Sequence, residues 1–164
     1  MAYLLDADAF IRAKNLHYGF EICPGFWDWL VKANERGGVF SIEKVADEIA
    51  AGDDDLSVWA GSLGDGFFLK PTMEVLVALG TVGDWTKLQG YNAAAIDTFL
   101  QVADYHLVDH ALAGGFDVVT HEIPSPSLNR IKIPNVCIGL GLKCLTPFEM
   151  LRREKARFVL ETLP

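Results

Sequence analysis

The sequence predicts an α/β fold built around a mainly parallel β-sheet, because short apolar runs alternate with helical patterns along the chain. Residues 2–5 form an apolar run that ends at an acid, which is typical of a buried strand. The β-branched run at residues 116–120 predicts a second buried strand. With 164 residues, 51% of them hydrophobic, the chain has the size of one domain and enough apolar side chains for its own core.

Helix signals follow one another through the first half of the chain. Pro24 lies in the first turn of a predicted helix, which the Gly-Gly pair at residues 37–38 stops. Ser41 has the residue type of an N-cap, and the helix after it is predicted to run through Ala51. The three aspartates at residues 53–55 predict the start of another short helix, since acids favour a helix N-terminus.

The second half is predicted to be mainly helical around the second strand. A helical pattern covers residues 71–79, and residues 93–101 and 104–113 are predicted as two helices or one broken helix. The Gly-Gly pair at residues 114–115 is a C-cap signal. After the second strand we expect a loop at residues 121–129. Short strands or loop segments follow at residues 130–133 and 136–140, and a basic amphipathic helix at residues 147–159. No repeat or linker divides the chain, so one domain is predicted over residues 1–164, with residues 146–164 as a basic C-terminal helix.

The charge is strongly acidic and unevenly spread. Lys and Arg number 14 against 22 Asp and Glu, giving a formal net charge of −8. This balance excludes nucleic-acid binding by bulk electrostatics, so a protein of this charge that acts on a phosphate polymer needs local compensation, for which a divalent metal is the obvious candidate. Residues 130–164 nevertheless hold seven basic residues and three acids, which indicates either a solvated helix or a contact surface for RNA or a partner.

Cysteine usage and the N-terminus indicate the compartment. Cys23, Cys137 and Cys144 are an odd number and show no CxxC or paired metal spacing, so we expect buried thiols of a reduced, cytoplasmic protein. Asp6 and Asp8 interrupt the apolar N-terminal stretch, which argues against a signal peptide. No apolar run approaches the roughly 18 residues that a membrane span needs, so no membrane contact is expected.

Acids follow both predicted strands directly. Asp6 and Asp8 come after the first strand, and Thr120 and Glu122 come at the end of the second. Open parallel sheets bind ligands at the carboxyl ends of their strands, so these side chains are expected to meet at one edge. Carboxylate oxygens are the ligands that Mg²⁺ prefers, together with water.

Two further acids are candidates for the same site. One lies on the helix after Ser41, where Glu43 and Glu48 flank opposite edges of the apolar stripe and Asp47 faces more fully away. Periodicity does not choose between the two glutamates. The other is Asp104, at the start of the helix before the second strand, where it could also serve as an N-cap.

The order and spacing of these acids resemble the PIN domain, the metal-dependent ribonuclease fold of VapC-type toxins. The PIN pattern opens with an apolar strand ending in Asp, here residues 3–6, and continues with Ser41 ahead of the helical Glu48. It closes with an Asp-led helix, glycine, an apolar strand and Thr-x-acid, here with 16 residues from Asp104 to Thr120.

Three local phrases resemble a PIN-like family known as the DUF4411 proteins. They are Tyr-Leu-Leu-Asp-Ala-Asp, Pro-Gly-Phe-Trp-Asp-Trp and Lys-Ile-Pro-Asn-Val-Cys, which begin at residues 3, 24 and 132. The similarity extends over nearly the full length of the chain. It implies a three-layer α/β/α arrangement around the sheet.

The resemblance also implies a site of four acids that act as catalytic residues and metal ligands: Asp6, Glu48, Asp104 and Glu122. It favours Glu48 over Glu43. Glu122 departs from the family pattern, in which Asp is commonest. Asp8 and Thr120 are implied as supporting residues that orient a ligand or water. Asp109 replaces a usually small residue and lies about 140° round the helix from Asp104, so it is left outside the site.

The function implied is a metal-dependent endoribonuclease that uses Mg²⁺ or Mn²⁺ and acts as the toxin of a type II toxin–antitoxin pair. Its partners would be an RNA substrate, an antitoxin protein and a second copy of the chain. One alternative is a haloacid-dehalogenase-like phosphohydrolase with Asp6 as nucleophile and Asp8 as acid/base, although Phe10 stands where Thr or Val is usual. The other is a non-catalytic binding module on a PIN scaffold.

Overall fold

The fold is organised around five parallel strands. The structure, a computed structural model, describes residues 1–162. Its strands are β1 (Tyr3–Leu5), β2 (Val39–Ile42), β3 (Phe68–Leu69), β4 (Asp117–Val119) and β5 (Cys144–Leu145). They are arranged in the order β3-β2-β1-β4-β5, so β1 lies at the centre. The predicted parallel sheet is confirmed, and the strands that sequence patterning identified are its two central neighbours, β1 and β4.

Helices account for most of the remaining described residues. They are α1 (Ala7–Arg12), α2 (Pro24–Glu35), α3 (Glu43–Ala50), α4 (Asp55–Gly61), α5 (Met73–Lys87), α6 (Ala93–Phe99), α7 (Ala103–Gly114), α8 (Ile133–Leu140) and α9 (Pro147–Arg153). A π-helical turn, Ala13–His17, continues α1.

Helices lie on both faces of the sheet, which gives a three-layer α/β/α arrangement. α1 packs on α3 and α3 on α4, whereas α5, α7 and α8 pack on one another. Gly115, in the left-handed conformation with φ +70°, ends α7 and turns the chain into β4. The C-cap predicted there is confirmed, and α7 therefore runs back from the carboxyl edge of the sheet to its amino edge.

The core explains why β1 and β4 are mainly apolar, with Asp117 at the start of β4 as the exception. Every residue of β1 and β4 is buried, because helices cover both faces of a parallel sheet. Against one face lies an aromatic cluster in which Phe10, Trp27 and Phe67 surround Trp59, and Phe20 stacks on Trp27 with ring centroids 4.1 Å apart.

The prediction that Ser41 caps α3 is wrong. Ser41 belongs to β2 and is fully buried, and its hydroxyl donates to the Leu5 carbonyl oxygen at 2.7 Å. The helix begins two residues later, with Ile42 as the N-cap residue and no side-chain cap. Ser41 therefore pairs within the sheet and does not cap the helix. Its hydroxyl group binds the last residue of β1.

Segments after β3 and β4 also differ from prediction. The helix predicted over residues 71–79 begins after the Thr72 cap and continues to Lys87. The residues predicted as short strands or loop, 130–133 and 136–140, contain α8 instead, with Pro134 in its first turn. Pro134 is compatible with this position because the first turn of a helix has no backbone acceptors for its N–H groups.

The C-terminal helix is shorter than predicted. It ends at Arg153, not at residue 159, and residues 154–162 are not helical. The stop is a left-handed turn at Lys155 (φ 53°), in which the Ala156 N–H donates to the Leu151 carbonyl. Residues 163 and 164, the end of the predicted basic helix, lie outside the described residues.

Two further sequence predictions concern thiols and membranes. All three cysteines are free, but only Cys137 is fully buried, while Cys23 and Cys144 are half-buried. Among residues 1–162, no helix combines the length and the apolar character that crossing a bilayer requires.

Close packing of α8 on α5 gives a test of this architecture. A Cβ atom at Gly139 would lie 2.0 Å from Cζ2 of Trp85, so Gly139→Ala should destabilise the protein by about 1–3 kcal/mol in urea unfolding. The control is Gly80→Ala on α5, where nothing lies within 4 Å and helix propensity predicts a gain of about 0.5–1 kcal/mol. Equal effects of the two substitutions would contradict this packing.

Candidate active site

The strand order places two acidic segments side by side. All five strands are parallel, but the order in which the chain adds them reverses at β1. The strands β2 and β3 lie on one side of β1, and the strands β4 and β5 lie on the other side. Such a switch point leaves a crevice at the carboxyl ends of the strands. Asp6 directly follows β1, and Thr120 directly follows β4, so both lie at this crevice.

Two helices bring the other predicted acids to the same edge. α3 leaves the carboxyl end of β2 and carries Glu48. α7 starts at that edge and carries Asp104 in its first turn. Val102 is the N-cap residue of α7, and no side chain caps the helix. The alternative interpretation of Asp104 as a cap is therefore wrong.

A cleft of about 900 Å³ collects these side chains. All four predicted acids line it: Asp6, Glu48, Asp104 and Glu122. Asp8 lines it as well, while Thr120 lies directly beneath. Glu43 does not contribute to the lining, so the structure places Glu48, not Glu43, at this cleft. Asp47, which was predicted to face away from the apolar stripe of its helix, also lines the cleft.

Asp6 is held firmly at the base of the cleft. Its side chain is buried, with 5% of the residue exposed. Oδ1 accepts a hydrogen bond from the Ala7 N–H at 2.7 Å, which caps α1. Oδ2 accepts from the Thr120 hydroxyl at 2.9 Å. Each carboxylate oxygen keeps a second lone pair for another ligand.

Asp8 joins the base of the cleft to the loop after β4. Its carboxylate accepts a hydrogen bond from the His121 N–H at 3.1 Å. The Thr120 hydroxyl lies 3.1 Å from Asp8 Oδ2, so its single proton is shared between Asp8 and Asp6. Thr120 also accepts from the Glu122 N–H at 3.1 Å. This one threonine thus sets the relative positions of three acids.

Glu122 occupies the N-terminus of a helix. Its Oε2 accepts from the Ile133 N–H at 2.9 Å, at the first residue of α8. A helix N-terminus favours negative charge, so the carboxylate of Glu122 lies in a favourable place. Oε1 lies 4.0 Å from Nη2 of Arg130. The glutamate thereby links the loop after β4 to α8.

Burial, and after it the repulsion between carboxylates, determines the electrostatics of the cleft. Burial, followed by the nearby carboxylates of Asp8 and Asp104, raises the pKa of Asp6 well above its ordinary value. Burial, followed by Glu122 and Glu48, raises the pKa of Asp104 to about 6. Burial and Asp8 also raise the pKa of Glu48. Several carboxylates therefore share a partly dehydrated space, and Arg130 offsets the effect on Asp104 only in part.

This donor set suits a hard divalent cation. Every acid in the cleft offers carboxylate oxygens, and a cation would relieve the repulsion that raises their pKa values. Among residues 1–162, no three His, Cys, Asp or Glu side chains are arranged to hold a metal ion directly. Mg²⁺ commonly uses only one or two carboxylates and keeps several waters, so it does not require three side-chain ligands.

Sequence reasoning missed the cations of the cleft. Arg12, Lys44 and Arg130 line it together with the acids. Arg12 lies at the end of α1, six residues after Asp6, and Lys44 is one helical turn before Glu48. Given the helices, both spacings indicate that these cations lie near the acids. Arg130 comes from a segment predicted as strand or loop, and no pattern indicated its place.

Asp109 lies outside the cleft, as expected from its helical position. It is fully buried on α7, and neither carboxylate oxygen has a hydrogen-bond partner in the described part of the chain. Burial raises the pKa of Asp109 to about 8. At neutral pH the side chain is therefore mainly protonated, which avoids a buried charge.

Comparison with known proteins places the chain near one family. A family model described as "Domain of unknown function (DUF4411)" matches residues 3–158. Neither the curated proteins nor the solved structures include a match.

The burial of Asp104 and the carboxylates around it predict a gain of stability when its charge is removed. Below pH 4 the carboxyl group of Asp104 is protonated in both the folded and the unfolded protein, so it does not lower the free energy of unfolding. As the pH rises, the unfolded protein ionises first, and the destabilising effect grows until the pH passes about 6. In EDTA at pH 7.5, Asp104→Asn should therefore raise the free energy of unfolding by about 1–3 kcal/mol, and the gain should shrink at pH 4.

Denaturant unfolding at the two pH values measures this difference. The control is Asp97→Asn, an exposed aspartate on α6, which should change stability by less than about 0.5 kcal/mol at both. A loss of stability in Asp104→Asn at pH 7.5 would contradict the electrostatic account.

Proposed function

The chain belongs to the DUF4411 family, and we propose that it is a metal-dependent endoribonuclease that hydrolyses RNA phosphodiesters with Mg²⁺ or Mn²⁺. The observation that carries the proposal is the convergence of Asp6, Glu48, Asp104 and Glu122 from four separate segments in one cleft. Burial and the neighbouring carboxylates raise the pKa of Asp6 and Asp104, so their ionised forms cost stability in the metal-free protein. Such a cost is typical of a functional site.

The bound metal would polarise the phosphate and lower the pKa of a water molecule. Asp6 and Asp104 would be the main ligands, with Glu48 and Glu122 as ligands or water-holding groups. Thr120 and the His121 N–H fix the carboxylates of Asp6 and Asp8 in place. Glu48 is the most exposed of the four acids, and its raised pKa suits a carboxylate that accepts a proton from water.

The rim of the cleft suits a polyanionic substrate. The cleft is lined by Arg12, Lys44 and Arg130 as well as by the acids. These cations offer phosphate contacts on a protein whose net charge of −8 otherwise repels RNA. Its volume of about 900 Å³ leaves room for more than one nucleotide.

The phosphohydrolase alternative fits the geometry less well. A nucleophilic aspartate must present a free oxygen to the phosphorus atom. Asp6 is buried, and both of its oxygens accept hydrogen bonds within the protein. The observation suits a fixed metal ligand better than a nucleophile. A non-catalytic binding module would bind RNA without cleaving it, and a cleavage assay distinguishes it from a nuclease.

The toxin role follows from the resemblance to VapC-type proteins. An antitoxin and a second copy of the chain are the partners proposed, and function in the cytoplasm is proposed with them. The basic residues beyond α8 include Arg152 and Lys155, which are exposed and suit an acidic partner segment. Arg153 is engaged differently, since its Nη1 lies 3.6 Å from Asp117 Oδ2.

Cleavage of total RNA by the purified, antitoxin-free protein tests the activity. We expect discrete products with Mg²⁺ or Mn²⁺ and none with EDTA. Asp6→Asn, Asp104→Asn and Glu48→Gln should each lower the rate at least about a hundredfold. Glu43→Gln is the matched control, because Glu43 lies on the same helix as Glu48 but outside the cleft.

The outcomes separate the candidate functions. Cleavage lost in the three cleft variants and kept in Glu43→Gln would support a nuclease at this site. RNA binding without cleavage under any metal condition would favour the binding module. Metal-dependent release of phosphate from small phosphate esters, without RNA cleavage, would favour a phosphohydrolase.

A further inference from the structure

Arg130 extends over the acids of the cleft from an exposed position. Its Nη2 lies 4.0 Å from Oε1 of Glu122, and the side chain of Arg130 is 70% exposed against 14% for Glu122. Its positive charge also acts on Asp104, whose pKa it lowers against the stronger effects of burial and neighbouring carboxylates. Arg130 therefore partly neutralises two of the four acids.

The backbone around Arg130 is fixed on both sides. Ile131 and Ile133 are buried in the core beyond it. Before it, the Asn92 N–H donates to the Leu128 carbonyl at 2.9 Å, and the side chains of Asn92 and Asn129 are hydrogen-bonded to each other. The loop thus holds the Cα atom at the edge of the cleft, while the long exposed side chain stays free to change its partner.

The ion pair with Glu122 is too weak to hold the Arg130 side chain in one position. A partly exposed ion pair at 4.0 Å contributes little to the stability of a protein. Glu122 is in addition already stabilised by the Ile133 N–H at the start of α8. A guanidinium group binds phosphate through two parallel hydrogen bonds, which are stronger than one long contact to a carboxylate.

We propose that Arg130 is the counter-charge of the metal-free cleft and that it turns from Glu122 to the RNA phosphate when a metal ion takes its place among the acids. This inference rests on the proposed nuclease function. The metal ion and Arg130 compete for the same carboxylates, since both are attracted by their negative charge. In the substrate complex they bind different groups, the metal ion the acids and Arg130 the phosphate.

Two consequences of opposite sign follow for Arg130→Gln. Without the competing cation, the cleft should bind Mn²⁺ more tightly, by about three- to tenfold at low salt. Without the phosphate contact, RNA should bind more weakly, with KM about tenfold higher and kcat changed less. A merely structural role of Arg130 would weaken both interactions or neither.

The experiment measures Mn²⁺ binding to the RNA-free protein by calorimetry and RNA cleavage at saturating Mn²⁺. Arg36→Gln is the matched control, because Arg36 is exposed at the opposite edge of the sheet and its loss changes the net charge equally. Arg130→Lys should keep the Mn²⁺ affinity near that of the unmodified protein and restore part of the RNA binding.

Tighter Mn²⁺ binding together with a raised KM in Arg130→Gln, and neither in Arg36→Gln, supports the exchange of partners. Unchanged or weaker Mn²⁺ binding in Arg130→Gln overturns it, even when the unmodified protein binds Mn²⁺ and cleaves RNA. Failure of the unmodified protein to bind Mn²⁺ would overturn the proposed function and this inference with it.

Discussion

The end of β1 is held from both sides by hydroxyl groups, and the site depends on this arrangement. From β2, the Ser41 hydroxyl donates to the Leu5 carbonyl at 2.7 Å. From the end of β4, the Thr120 hydroxyl lies between Asp6 and Asp8. Both hydroxyls are buried, so water does not compete for these bonds. Asp6 is therefore fixed relative to three adjacent strands before any ligand binds.

That rigidity has an electrostatic cost. The same packing that fixes Asp6 removes it from water and brings other carboxylates near, which raises the pKa of both Asp6 and Asp104. Part of the negative charge is compensated within the fold, by the N-terminus of α8 at Glu122 and by Arg130. The remaining charge favours a divalent cation over an apolar or anionic ligand, and this preference links the stability of the protein to the chemistry proposed for it.

The predictability of the site differs from residue to residue. Asp6 and Thr120 could be placed because each directly follows a strong apolar strand. Glu48 and Glu43 could not be separated by periodicity, since both flank the apolar stripe of a short helix. Arg130 could be assigned to the basic segment at residues 130–164 but not to the cleft. Its position depends on α8, whose residues were predicted as strand or loop, and on the packing of α8 against α5.

The amino-acid pattern alone predicts the parallel α/β class, the strands β1 and β4 and the acids at their ends, because burial on both faces favours mainly apolar runs and strand ends expose polar residues. Three further features are visible in the folded protein alone: the partner of the Ser41 hydroxyl, the end of the last helix and the set of charges in the cleft. These features depend on contacts between segments far apart in the chain, such as Asp6 with Thr120. Local patterns carry no information about such contacts until the sheet order brings the segments together.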